Sequence, residues 1–156
     1  MEIEVVVEVP AGSRNKYELD HESGVIRLDR QLFTSTRYPA DYGFIDGTLG
    51  EDGDPLDALV VLDEPTFPGC HITCRPVALL RMSDEKGPDA KVLCVAVGDP
   101  RHEWHGLEDV PHHLRREIAH FFDIYKDLDP GAESSVRSWA GRRDAETAIR
   151  RARRRQ

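Results

Sequence analysis

Residues 109–128 read DVPHHLRREIAHFFDIYKDL, and within them the period of the chain changes. Leu114, Ile118, Phe121, Phe122 and Tyr125 recur at helical spacing, which gives a helix one apolar face. Asp109 is placed to cap its N-terminus, with Pro111 in the first turn, and DPGAESS (129–135) is placed to end it. Upstream, apolar residues recur at every second position instead. In EIEVVVEV (2–9), Ile3, Val5, Val7 and Val9 share one face, and Glu4, Val6 and Glu8 share the other. KYELD (16–20) sets Lys16, Glu18 and Asp20 against Tyr17 and Leu19. HESG (21–24) then reads as a turn and VIRLDR (25–30) as the next strand. After a loop come ALVVL (58–62), ITCRPVALLRM (72–82) and KVLCVAVG (91–98), punctuated by Gly, Pro and Asp. Many short strands at this spacing suggest a small barrel. A second, arginine-rich helix is expected from about Gly141 to the end. Strands followed by helices predict an α+β fold. With no internal repeat and no linker, residues 1–156 read as a single domain.

The formal charge of −8 over 156 residues is unevenly spread. The basic tail, 142–156, holds seven arginines against Asp144 and Glu146, so the preceding residues carry −13. An acidic body is a poor platform for nucleic acid, because phosphate binding needs cationic surface. The tail reads as a solvated helix end whose cations suit the C-terminal pole of the dipole. No apolar run approaches the ~18 residues of a membrane span, and MEIEVVVEVP is neither a signal nor a transit peptide. Cys70, Cys74 and Cys94 show no pairing pattern. Cys74 and Cys94 lie in apolar strands and read as buried free thiols, consistent with a cytoplasmic protein.

EDGDPLDAL (51–59) crowds Asp52, Asp54 and Asp57 onto a turn that Gly53 and Pro55 make tight. Oxygen-only ligands on a rigid turn suit a hard cation such as Mg²⁺. An EF-hand fits poorly, since Leu56 and Asp57 stand where a ligand and a glycine are needed. An aspartyl-phosphate phosphatase needs a hydrophobic strand before its Asp-x-Asp, and GTLGE (47–51) is not one. A solvated acidic turn is the plain structural alternative. Asp84, Glu85 and Asp89 form a second acidic turn in MSDEKGPDAK (82–91), followed by Lys91. Glu8, Lys16, Glu18 and Arg30 lie on strand faces. YPADYGF (38–44) adds Tyr38 and Tyr42, and YKDL (125–128) adds Tyr125 and Lys126. Carboxylates for several divalent ions, with Lys, Arg and Tyr donors for a multiply charged anion, are what phosphoryl transfer requires.

In these motifs the sequence resembles the family I soluble inorganic pyrophosphatases. DGDPLDA (52–58) matches that family's Asp-x-Asp-Pro-x-Asp signature. VEVPAGSRNKYE, LDR, YPADYGF, RPV, MSDEKGPDAK and HFFDIYKDL support it from about Ile3 to Leu128, and RNKYELDH is most similar to actinobacterial members. The resemblance implies an OB-like five-stranded β-barrel with helices packed against it and a C-terminal helical segment. It implies that Asp52, Asp57 and Asp89 bind a pair of Mg²⁺ ions sharing the attacking water, that Asp84 and Asp89 hold a further Mg²⁺, and that Glu8 helps place another. Two such ions lower the pKa of a shared water far below its bulk value of about 15.7. Asp54 would take the proton, a role some accounts give to Asp89. Lys16, Arg30, Tyr42, Lys91, Tyr125 and Lys126 would hold the two phosphates of pyrophosphate, with Glu18, Tyr38 and Glu85 in support. Mn²⁺ or Zn²⁺ are implied as substitutes for Mg²⁺ and Ca²⁺ as an inhibitor, in a cytoplasmic homohexamer.

The sequence departs from that pattern after YKDL, where Ala132 takes the place of a usual lysine, although Trp139 still fits. His21 reads as an exposed turn histidine, with reach to the active-site rim in a hexamer as its alternative; His102, His105, His112 and His113 read as surface residues, with a stray transition metal as theirs. Two readings from other classes stand beside the enzyme: a non-catalytic OB-fold module that binds oligonucleotides, and a Ca²⁺-binding structural protein. The first needs a basic groove with stacking aromatics, which the acidic body opposes.

Overall fold

The computed structural model describes residues 1–155. Five strands form the frame: β1 (Ile3–Val9), β4 (Asp41–Ile45), β5 (Asp57–Val61), β6 (His71–Asp84) and β8 (Lys91–Ala96). β1 pairs antiparallel with β4, β4 with β5, and β6 with β8, while β5 and β8 run parallel. Ile3–Val6 also pair with His71–Cys74, so β1 meets β4 along one edge and β6 along the other, and the pairing closes on itself. This is the five-stranded barrel-like arrangement expected. β6 runs on past the frame to pair with β7 (Gly87–Pro88) and β9 (Ser134–Gly141). β2 (Asn15–Leu19) and β3 (Ile26–Gln31) form a separate hairpin.

The period-two pattern sorts side chains into two cores. Leu59, Val61, Leu80, Leu93 and Val95 face one way and pack with Ile118, Phe121 and Phe122 of α1 (His112–Ile124). Ala58, Val60, Leu79, Val92 and Cys94 face the other way and pack with Ala145 and Ile149 of α2 (Arg142–Arg154). β5 and β8 are therefore buried on both faces, which is why they read as unbroken apolar runs. Cys74 and Cys94 are buried free thiols, as expected. No helix among the described residues is long and apolar enough to cross a membrane.

Four details differ from the sequence reading. Helix α1 begins at His112 with Pro111 as its N-cap; Asp109 instead closes a short 3₁₀ turn, Leu107–Asp109, and accepts the His105 and Gly106 backbone N–H groups. β4 and β9 lie where loops are expected. His102 is buried, its Nδ1 2.7 Å from Asp99 Oδ2, whereas His21, His105, His112 and His113 are exposed. The arginine-rich tail is not simply solvated, because Ala145, Ile149 and Ala152 give α2 a buried stripe.

Candidate active site

Parallel pairing of β5 with β8 sets the site. Asp57 and Lys91 are register partners and each is the first residue of its strand. The loops that enter these strands, carrying the two acidic turns, therefore open at the same end of the frame. There they border a cleft of 730 Å³.

Lys91 lies at its floor, 1% exposed. Its Nζ donates to Tyr42 Oη at 2.8 Å and to Asp57 Oδ2 and Asp89 Oδ2 at 3.0 Å each. It also sits 5.1 Å from the Tyr42 ring centroid and 5.2 Å from that of Phe122. Burial alone would lower its pKa; Asp57, Tyr42 and Asp89 overcome that and hold the ammonium well above its ordinary range. Burial likewise raises the Tyr42 phenol, which stays a hydrogen-bond donor. Burial is also the main cause that raises Asp89; Lys91 opposes it and Asp57 adds to it. Glu8, which accepts the Leu19 N–H at 2.8 Å, is pushed up to about 7 by burial, with Asp57 and Glu18 adding repulsion.

The walls carry the remaining groups. Asp52 and Asp54 are exposed on a turn with Gly53 at φ +90°, a conformation glycine favours. The Asp54 N–H donates to Asp52 Oδ1 at 3.0 Å. Across the cleft, Lys126 Nζ stands 3.5 Å from both Asp84 Oδ2 and Glu85 Oε2. On the hairpin, Lys16 Nζ and Arg30 Nη1 share Asp29 Oδ2 at 3.0 and 2.8 Å. Glu18, Tyr38 and Tyr125 complete the lining, with the Tyr38 hydroxyl buried and unpartnered. Every residue singled out from the sequence for the site thus borders this cleft.

Among the described residues, no three Asp, Glu, His or Cys side chains converge closely enough to hold an ion. Lys91 Nζ is the cation shared by Asp57 and Asp89. The donor chemistry nonetheless fits a hard divalent cation. The acidic lining is carboxylate oxygen without a thiol, and repulsion among these acids adds to the burial that raises Glu8 and Asp89.

The sequence model of the inorganic pyrophosphatase family matches residues 5–156. The chain belongs to the inorganic pyrophosphatase family. The inorganic pyrophosphatase of Streptomyces coelicolor is 61% identical over 97% of this chain and 93% of its own. That of Leifsonia xyli is 54% identical over 94% of this chain and 90% of its own. The crystal structure of the Thermus thermophilus inorganic pyrophosphatase superposes with a TM-score of 0.96 at 46% identity, covering 99% of this chain and 90% of that one.

Within this cleft, two acids that sequence reasoning passed over tune the cationic wall. Asp29 holds Lys16 and Arg30 together, and Asp129 Oδ2 pairs with Arg30 Nη2 at 2.9 Å. The signal for Asp29 is masked by a bulge: Lys16 pairs with Arg30 but Tyr17 with Leu28, so Asp29 is the extra residue and leaves simple alternation. Asp129 carries no periodic signal, since it follows α1 in a turn. Ala132 lines the same cleft, at its rim, and offers no cation there.

Proposed function

We propose that this chain hydrolyses inorganic pyrophosphate to two orthophosphates in the 730 Å³ cleft, with Mg²⁺ as cofactor. The observation that carries the reading is the gathering of two acidic turns and a cationic wall around one opening, on a chain of the inorganic pyrophosphatase family. Asp52, Asp57 and Asp89, with Asp84 and Glu8, are the residues that would hold Mg²⁺. When bound, the metal supplies charge neutralisation and a lowered pKa for the attacking water.

The chain's own groups do the rest. Asp54 is exposed on the turn and, among the described residues, bonded only through its backbone, which leaves its carboxylate to accept the proton of the attacking water. Asp89 is the alternative acceptor, but Lys91 already engages it. Lys16, Arg30 and Lys126 are each held by a carboxylate, which fixes their charges toward the phosphates before substrate arrives. Tyr42 is kept protonated by burial and held by Lys91, and with Tyr125 it donates to phosphate oxygen. Glu18, Tyr38 and Glu85 shape the walls.

We further propose that the chain forms one domain, works in the cytoplasm, as free Cys70, Cys74 and Cys94 support, and assembles as a homohexamer. Exposed Leu28, Phe67 and Leu128 support association of copies. Neither alternative class is supported by the comparisons. Phosphate release from pyrophosphate tests the reading. Fast release with Mg²⁺, abolished by excess EDTA and suppressed by Ca²⁺, is expected; no release by the folded protein with Mg²⁺, Mn²⁺ or Zn²⁺ rejects it.

A further inference from the structure

The arginine-rich end of α2 is the sequence feature that hydrolysis leaves unused, and it touches the acidic turn. The Leu49 N–H donates to the Ala152 carbonyl at 3.0 Å, giving a partner to one of the terminal carbonyls that a helix cannot satisfy by itself. Ala152 is buried in the α2 stripe, so this acceptor is fixed. Three residues on, Arg155 Nη2 donates to Glu51 Oε1 at 3.1 Å. Arg151 and Arg155 border the same cleft as Asp52 and Asp54.

The turn has little else to hold it. Its internal bonds are local: Gly50 N–H to the Asp54 carbonyl at 2.6 Å, Gly53 N–H to the Gly50 carbonyl at 3.2 Å, and Asp54 N–H to Asp52 Oδ1. Its base is anchored by Thr48, whose hydroxyl donates to the Ile45 carbonyl and accepts the Leu56 N–H. Among the described residues, neither the Asp52 nor the Asp54 side chain bonds to anything outside the turn.

We infer that the C-terminal end of α2 is a latch on the acidic turn, with Glu51 and Arg155 as its side-chain half, and that it sets how tightly the turn takes up a divalent cation. The inference rests on the reading of the site given above. Both residues act through the position of Asp52 and Asp54 rather than by touching substrate.

A latch and a simple charge field predict different signs. As bare charges, Glu51 would strengthen cation uptake and Arg155 would weaken it. As two halves of a latch, both strengthen it. The measurement is calorimetric titration of Mg²⁺ into the full chain without substrate, for the unmodified protein, Glu51→Gln, Arg155→Gln and the double variant. Each single variant is expected to raise the Mg²⁺ dissociation constant about 2- to 5-fold, the range an exposed ion pair supplies. The double variant should be no weaker than the weaker single one, and Arg155→Lys should restore part of the loss. Opposite shifts from the two single variants, additive shifts, no shift, or no Mg²⁺ uptake by the unmodified chain would each overturn the latch. The readout needs no turnover, so failure to hydrolyse pyrophosphate would reject the proposed function separately.

Discussion

Lys91 is a buried ammonium between two carboxylates and a phenol, and removing it leaves Asp57 and Asp89 facing each other. Breaking a fully buried pair costs ~3–5 kcal/mol. Both acids keep some access to the cleft, so Lys91→Met is expected to cost about 3 kcal/mol, the low end of that range, in thermal unfolding with EDTA. Mg²⁺ should recover more of the lost stability than it adds to the unmodified protein, because a divalent ion can replace the missing cation. Equal Mg²⁺ effects on both proteins would show that Lys91 and the metal do not share these carboxylates. Asp54 is the opposite kind of residue, exposed and, among the described residues, with its carboxylate unbonded. Asp54→Asn keeps shape and removes the proton acceptor. The rate at saturating Mg²⁺ should fall by about 10²–10⁴ with melting unchanged; near-normal turnover would take Asp54 out of that role. Residues of this kind are legible in sequence because like charges crowded into six positions need an explanation. Asp29 and Asp129 are not, since each is a single acid whose partners arrive from a bulge or from another element.

Among the elements, those buried on both faces are the easiest to read. ALVVL and KVLCVAV are unbroken apolar runs because β5 and β8 divide their side chains between two cores. β4 hides from the same reading. Its five residues include Asp41, buried and accepting the Ala11 and Thr66 N–H groups, and Gly43, neither of which favours a strand by propensity. Gly43 is there because β1 comes too close for a side chain: a Cβ would lie 1.9 Å from the Val6 carbonyl oxygen. Gly43→Ala must therefore push β4 away from β1. The expected loss is about 3 kcal/mol or more, the upper end for overpacking, read by urea denaturation. Activity should fall with it, because Tyr42 rides on the same strand. An alanine variant of unchanged stability would mean the two strands have room to part. β9 is missed for a different reason, since Ser134, Ser135, Arg137 and Ser138 are polar and are drawn into the sheet by the long edge of β6. Asp109 is a plausible cap in sequence, yet Pro111 begins the helix and Asp109 serves the turn before it.

For the molecule as a whole, the acidic cleft makes stability depend on pH. Glu8 is pushed up to about 7 from an ordinary 4.5, so between these values the folded chain holds a proton that the unfolded chain releases. Its contribution is fully present below about pH 4.5 and is lost as pH rises through about 7. Asp89 shifts in the same direction. Acids such as Asp29 and Asp99 are lowered and act oppositely, so the informative quantity is the difference between the unmodified protein and Glu8→Gln. In EDTA, the advantage of Glu8→Gln in melting temperature is expected to grow between pH 5 and 8. A constant difference would show that Glu8 titrates as a solvated acid.

β6 is the spine of the fold: its fourteen residues pair in turn with β1, β8, β7 and β9. During synthesis from the N-terminus, β1 leaves the ribosome long before its second partner exists. β4 can cover one of its edges early, but the other waits for His71–Cys74. An open edge of alternating valines is the kind of surface on which chains stick to one another. Glu4 and Glu8 punctuate that strand, with Glu2 just before it, and Glu4 still faces solvent in the finished fold. The acids that begin the chain therefore also act as gatekeepers against misassembly, guarding β1 until the barrel closes.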